Sequence, residues 1–423
     1  MIAWLLALQA AGSYVEVQYP PSAAPGELVF GVTYTLWVPP TDAPLRGVIV
    51  HQHGCGSGAC KGGATASYDL HWQALARKWD CALLGPSYNQ EDGQNCADWC
   101  DPRRGSEKAF LKALTELAAK AGRPEIARVP WCLWGHSGGG TWTSRMTVMH
   151  PGRVVGAWLR SGTSFGAKNT EDIPPAALGV PVMGNPGAKE KGDKRFDGAW
   201  TGTFAMFQKW RGLGAPIGFA PDPRTSHECG DSRYLAIPWF DALLGLRLPE
   251  VAGGALKSVD PKSGWLAVPL GDLAVPAEKF EGKREEAVWL PNERVAKAWS
   301  EYVKTGAVSD ETPPPKAVEL KAERTEAGVV LTWAVQADLE SGVRSFVIVR
   351  DGKELAAFPE KPLGKFGRPL FQAMSYHDTP EKPLPALRYV DANAPPDAKP
   401  AYRVVVVNGV GLKSEPSAEA RVP

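Results

Sequence analysis

The stretch Trp131-Cys132-Leu133-Trp134-Gly135-His136-Ser137-Gly138-Gly139-Gly140 runs an apolar segment straight into a serine enclosed by glycines, and residues 141–150 after it contain neither Pro nor Gly. The apolar run reads as a strand, the glycines as a turn too tight for neighbouring side chains, and the Pro- and Gly-free segment as a helix. A serine on a sharp strand-to-helix turn has its hydroxyl pushed clear of the sheet, where a nucleophile must be. A second Gly-x-Ser-x-Gly match, Gly162-Thr163-Ser164-Phe165-Gly166, lacks that context. It is followed by Asn169-Thr170-Glu171-Asp172-Ile173-Pro174-Pro175, which cannot continue as a helix. Ser137 is therefore the candidate nucleophile.

Working outward, residues 14–19 and 32–38 alternate as an opening antiparallel pair would, and Gly47-Val48-Ile49-Val50-His51 is a continuous apolar run suited to a strand buried on both faces. Further strands are expected at 80–85, 129–134, 154–160, 178–184 and 216–220, with helices at 68–78, 106–121, 139–150, 200–212 and 232–245. Such alternation predicts an α/β fold, a doubly wound and mostly parallel sheet covered on both faces. Residues 250–290 are rich in Pro and Gly, and a short amphipathic helix follows with Val295, Trp299 and Tyr302 on one face. Thr312-Pro313-Pro314-Pro315 makes a stiff break. Beyond it, β-branched runs at 329–333, 345–350 and 401–407 are separated by turns such as Asp351-Gly352 and Asn408-Gly409, an all-β pattern. The expected organisation is a catalytic domain over 13–250, an extension and linker over 251–312, and a β-sandwich over 313–423 with an inserted loop within 358–390.

A serine hydroxyl attacks only as its proton passes to a base, so a histidine must reach it. Of the seven histidines, His136 lies inside the turn and is expected to point away, His71 lies in an early helix, His377 in the all-β region, and His150 at the end of the helix after Ser137, where a cation is favoured. His51 and His53 read as supports for a glycine-rich loop, with a metal pair as the alternative. His227, between the strand at 216–220 and the last helix, has the address of a base in the chain order Ser, acid, His. The acid should follow the strand at 178–184. Glu190 is the choice and Asp193 the alternative, with Asp197 and Asp222 further candidates. Two N–H groups, of Gly138 and of Cys55 in His53-Gly54-Cys55, are expected to form the oxyanion hole. Tyr88, Trp99 and Trp142 are the candidate substrate-binding side chains, with packing of its own loop as the rival role for Trp99.

His-Gly-Cys after the third strand, the Gly-His-Ser-Gly-Gly turn and His227 before the closing helix resemble the α/β-hydrolase superfamily over about residues 14–246. Through His53-Gly54-Cys55 the chain looks like the secreted esterases grouped with polyhydroxybutyrate depolymerases and feruloyl or acetylxylan esterases. That resemblance implies hydrolysis of a carboxylic ester through an acyl-enzyme, a plant-polysaccharide or polyester substrate, and no metal or organic cofactor. A cysteine near the base is often disulfide-bonded in that group, which singles out Cys229; its depolymerases use Asp as the acid, where this chain offers a mixed Glu/Asp loop. Trp333 closing an early strand and Tyr402 opening a late one resemble fibronectin type III modules, which implies a sandwich.

Composition bounds the remaining possibilities. With 423 residues, 44% hydrophobic and 22% charged, the chain has material for two domains; a net charge of +1 without a long basic stretch excludes nucleic acid and anionic membrane as expected partners. The first twelve residues form an apolar run ending in small residues and read as a signal peptide, hence a secreted or periplasmic protein, although no Lys or Arg precedes Arg46. That run is too short to span a bilayer. Cys81 and Cys132 lie in strand-like runs as core thiols. Cys55, Cys60, Cys96, Cys100 and Cys229 lie in loops suited to disulfides, zinc being the rival at Cys55/Cys60 and Cys96/Cys100. Sixteen tryptophans suggest exposed aromatic surface in addition to core. Two other functions fit the same pattern: a serine peptidase, and a non-catalytic polysaccharide-binding or adhesion protein. No protein partner is indicated.

Overall fold

The computed structural model describes residues 12–57, 63, 66–364, 367–372 and 386–422. The expected leader (except Gly12), Cys60 and His377 lie outside them. Strands β1 (Ser13–Tyr19), β2 (Val32–Val38), β3 (Gly47–Gln52), β4 (Cys81–Tyr88), β5 (Trp131–His136), β6 (Val154–Arg160), β7 (Val182–Asn185) and β8 (Ile217–Phe219) form one sheet in the order β1-β2-β4-β3-β5-β6-β7-β8. The β1/β2 and β2/β4 pairs are antiparallel and every later pair is parallel. This is an α/β-hydrolase sheet. All of β3, β5 and β6 is buried, as apolar strands between two helical layers must be.

Helices α1 (Leu70–Lys78), α2 (Ser106–Ala121), α3 (Gly138–Met149), α4 (Asp197–Gly212) and α5 (Arg233–Arg247) supply those layers. Asp69 caps α1 by accepting the N–H groups of His71 and Trp72, and its carboxylate pairs at 2.8 Å with Arg233 at the start of α5. Both partners are buried, so losing either one would strand a charge at a cost of about 3–5 kcal/mol. The tryptophans correct the expectation of aromatic surface: Trp37, Trp72, Trp131, Trp158, Trp239 and Trp289 are fully buried, and no Trp is among the exposed large side chains of the described residues.

The segment read as extension and linker also differs. Strands β9 (Trp265–Ala267), β10 (Ala274–Pro276) and β11 (Val288–Leu290) make a small antiparallel sheet, and α6 (Glu293–Thr305) follows. The apolar face of α6, Val295, Trp299 and Tyr302, joins the core of the eight-stranded sheet and its helices. Trp299 Nε1 donates to the Phe219 carbonyl at 2.8 Å and Tyr302 Oη to Asp222 Oδ2 at 3.0 Å. Short, Pro- and Gly-separated strands hid this element from periodicity.

Strands β12 (Val318–Thr325), β13 (Gly328–Ala334), β14 (Ser345–Arg350), β15 (Lys353–Phe358), β16 (Arg388–Asp391), β17 (Ala401–Val407) and β18 (Ala420–Arg421) form two antiparallel sheets, β12-β13-β16 and β15-β14-β17-β18. That is a fibronectin type III-like sandwich, with Trp333, Phe346, Ile348, Tyr402 and Val404 in its core. It abuts α1: the Phe371 carbonyl accepts the Leu70 N–H at 3.1 Å, and His71 Nε2 donates to the Leu339 carbonyl at 2.9 Å.

Four of the described histidines are buried: His51, stacked on Trp134 at 3.8 Å, His53, His71 and His136. Desolvation, reinforced by Arg233, lowers His53 to about 4 and His71 to about 3. Burial and neighbouring positive groups hold His51 and His136 well below the ordinary imidazole value. The unfolded chain, with ordinary imidazoles, therefore binds more protons below about pH 6.5. The contribution of these histidines to stability is complete above that pH and is lost as pH falls toward the folded-state values. Urea unfolding between pH 7.5 and 5 should lose stability at up to about 1.4 kcal/mol per pH unit per imidazole, and His71→Asn should make the slope shallower. A flat or rising profile contradicts burial of neutral histidines.

Candidate active site

Ser137 sits between the end of β5 and the start of α3 with φ 54° and ψ −118°, a backbone conformation that L residues rarely adopt. It is partly exposed, whereas His136 and Gly138 on either side are buried. The flanking glycines are needed because there is no room for a side chain. A Cβ on Gly139 would meet the carbonyls of Gln52 and His53, and one on Gly140 the carbonyl of Gly162 at 2.5 Å.

His227 lies in the irregular segment between β8 and α5. Its Nε2 is 2.8 Å from Ser137 Oγ, and its Nδ1–H donates to Glu190 Oε1 at 2.5 Å. Glu190, in the turn after β7, is fully buried and accepts the Gly187 N–H on its other oxygen at 3.0 Å. Nucleophile, base and acid candidates from three separate strand ends thus converge, with the imidazole oriented at both nitrogens. Asp193 is not in this relay. Its Oδ1 accepts the N–H groups of Arg195 and Phe196, which hold its carboxyl below the usual range. Asp197 accepts the Gly192 N–H, and Asp222 is committed to Tyr302 and the Arg224 N–H. Ser164, the serine of the second match, donates to the Thr141 carbonyl and supports α3 from outside.

The loop after β3 lies against the turn. A Cβ on Gly54 would stand 2.9 Å from the Ser137 Cβ, and Gly138 faces the Cys96 sulfur at 2.9 Å from its missing Cβ. Cys55 and Cys96 form a disulfide, and the Gly56 N–H donates to Gln90 Oε1 at 3.2 Å, so the loop is fastened at Cys55 and at the residue after it. The Gly138 N–H opens α3, where helix N–H groups are free to bind an anion. The sulfurs of Cys55, Cys96 and Cys100 lie within 4.8 Å of one another, the only such cluster of metal-ligand type among the described residues. Two of the three are joined to each other, and burial pushes the Cys100 thiol up to about 12. Cys229 is buried beside the His227 segment, and Cys81 and Cys132 are buried free thiols.

The three pocket residues require correction. Trp99 and Trp142 are fully buried and Tyr88 is 2% exposed. Tyr88 stacks on Trp99 at 4.5 Å, Trp99 Nε1 donates to Gln90 Oε1 at 2.7 Å, and Trp142 Nε1 donates to Ser106 Oγ at 3.2 Å. They form the packing under the Cys96 turn. Sequence reasoning missed Phe196, whose ring stacks on His227 at 4.0 Å and 9°, and Arg160 and His136, which hold the His227 segment from below. Only Arg160 left a trace, as a charged residue closing an otherwise apolar strand. A cleft of about 300 Å³ among Tyr19, Phe30 and Lys112 at the β1/β2 edge contains none of these residues.

No protein-family model matches the chain, and no curated protein does. Among solved structures, the chain is similar to an S-formylglutathione hydrolase from Agrobacterium tumefaciens, at 14% identity over 56% of this chain and 94% of that one, TM-score 0.36. It is similar to a ferulic acid esterase at 14% identity over 51% and 92%, TM-score 0.36. An Fn3-like protein from Clostridium thermocellum matches at 19% identity over 26% and 94%, TM-score 0.18.

Proposed function

We propose that the chain is a serine esterase in which Ser137 attacks a carboxylic ester and a covalent acyl-enzyme is then hydrolysed. The observation that carries this reading is the Ser137–His227–Glu190 relay, with hydrogen bonds of 2.8 and 2.5 Å. With Glu190 accepting from Nδ1, the Nε2 lone pair faces the serine. As Oγ bonds to the ester carbon, its proton moves to Nε2, and the oxyanion that develops takes the N–H groups of Gly138 and Cys55. His227 returns the proton to the departing alcohol, and water repeats the sequence on the acyl-enzyme. The substrate class is an acyl group on a plant polysaccharide or a polyester, in line with the resemblance carried by His53-Gly54-Cys55. No helix among the described residues is long and apolar enough to cross a membrane, and the Cys55–Cys96 disulfide supports an extracytoplasmic location. Residues 13–305 act as the catalytic unit, with the sandwich from 313 as an appended module.

Kinetics on p-nitrophenyl acetate test the assignment. Ser137→Ala should lose at least ~10⁴-fold in kcat, Glu190→Gln about 10²–10⁴-fold, and Asp193→Asn less than about threefold. Equal losses at 190 and 193 would displace Glu190, and turnover of aminoacyl-p-nitroanilides in place of the ester would favour a peptidase.

The disulfide gives a separate expectation. Cys96→Ser releases one side of the loop that carries the Cys55 N–H, so kcat should fall about tenfold, less than loss of a whole oxyanion donor, with the chain still folded by circular dichroism. Unchanged kcat would remove that N–H from the oxyanion hole.

A further inference from the structure

We infer that Arg160 is the positioning residue that sets His227 in register with Ser137, an inference that rests on the esterase reading above. Arg160 closes β6 and is fully buried. Its backbone carbonyl accepts the Ser137 N–H at 2.8 Å. Its side chain grips the segment that carries the base: Nε donates to the Glu228 carbonyl at 2.9 Å, and Nη2 reaches Glu228 O at 2.6 Å, Ser226 O at 3.2 Å and Thr225 Oγ1 at 2.7 Å. Nη1 donates to the Asn185 carbonyl, in the strand that leads to Glu190, at 3.0 Å. One residue therefore touches the chain segments of the nucleophile, the base and the acid.

His136 completes the grip, its Nε2–H donating to the His227 carbonyl at 2.8 Å. The carbonyls of three consecutive residues, 226 to 228, are thus held by the side chains that end β5 and β6. The segment from 221 to 232 has no helix or strand to satisfy them otherwise. Among the described residues no carboxylate pairs with Arg160, in contrast to the buried Arg233, which pairs with Asp69. A buried guanidinium whose partners are carbonyls and one hydroxyl is costly as a stability device. Its fork geometry suits the holding of several backbone oxygens in fixed positions. None of these Arg160 side-chain hydrogen bonds goes to Ser137 Oγ or to the imidazole, so its effect passes through the backbone of the His227 segment.

The test is steady-state kinetics on p-nitrophenyl acetate for Arg160→Met, Arg160→Lys and Thr225→Val, with thermal unfolding of each. For Arg160→Met a displaced imidazole should lower kcat about 100-fold while KM stays within about threefold, and millimolar guanidinium should restore part of the loss. Arg160→Lys should fall between, and Thr225→Val, which removes one partner of the fork, should lose several-fold in kcat. In Arg160→Met the low-field NMR signal of the His227 Nδ1 proton should broaden or vanish, a readout that needs no turnover. If Arg160→Met does not fold, the other two variants decide. Wild-type kcat in folded Arg160→Lys and Thr225→Val, or an Arg160→Met loss that tracks the unfolded fraction and resists guanidinium, overturns the inference. An inactive wild type whose Nδ1 signal still depends on Arg160 would instead overturn the esterase reading and leave the clamp standing.

Discussion

A hydroxyl can stand clear of a parallel sheet only if the chain turns within a single residue, and that constraint puts Ser137 at φ 54° and ψ −118°. Such a conformation costs on the order of 1–3 kcal/mol and persists only where the surroundings over-determine it. Here they do. The Ser137 N–H is bound by the Arg160 carbonyl, its own carbonyl accepts the Thr141 N–H, and Gly54, Gly139, Gly140 and Gly162 bring backbone close on every side. The glycines matter for the volume they leave empty, which is taken by the loop after β3, by the Cys55–Cys96 disulfide and by the turn after β6.

The relay depends on that turn and on a second, polar layer beneath it. Glu190 is out of reach of solvent, and its two oxygens are held by the Gly187 N–H and the imidazole. The two turns that present Glu190 and His227 are stitched together as well, the Ala188 and Lys189 N–H groups donating to the carbonyls of Asp222 and Thr225. The far end of the His227 segment meets the sandwich insert, where Arg368 Nε lies 3.5 Å from Asp231 Oδ1 and Tyr234 Oη 3.4 Å from Gln372 Oε1. The C-terminal sandwich therefore packs beside the segment that carries His227 as well as against α1.

The sheet was legible because its strands are buried on both faces and read as unbroken apolar runs such as Val48-Ile49-Val50, separated by helices of ordinary length. That Ser137, His227 and Glu190 could meet was legible because each follows a strand of the parallel sheet, whose C-terminal ends lie on one side, and the structure brings the three within hydrogen-bonding distance. Side-chain direction was not. Trp142 is close in sequence to the Ser137 turn and Trp99 to Cys96 of the disulfide, yet each turns inward, a choice made by tertiary packing and by partners such as Gln90 and Ser106. The three short strands after residue 264 lacked enough length for a period to register. His136 looked like a bystander because its partner, the His227 carbonyl, is ninety-one residues away.

The central claim is that one serine, activated by one imidazole, carries out the chemistry. It is tested most directly by treating the folded protein with a fluorophosphonate and locating the adduct by peptide mass spectrometry. The account predicts a single stoichiometric adduct on Ser137, with labelling slowed by orders of magnitude in a folded His227→Ala variant. No adduct, an adduct on another serine, or labelling of Ser137 at an undiminished rate without His227 would contradict it.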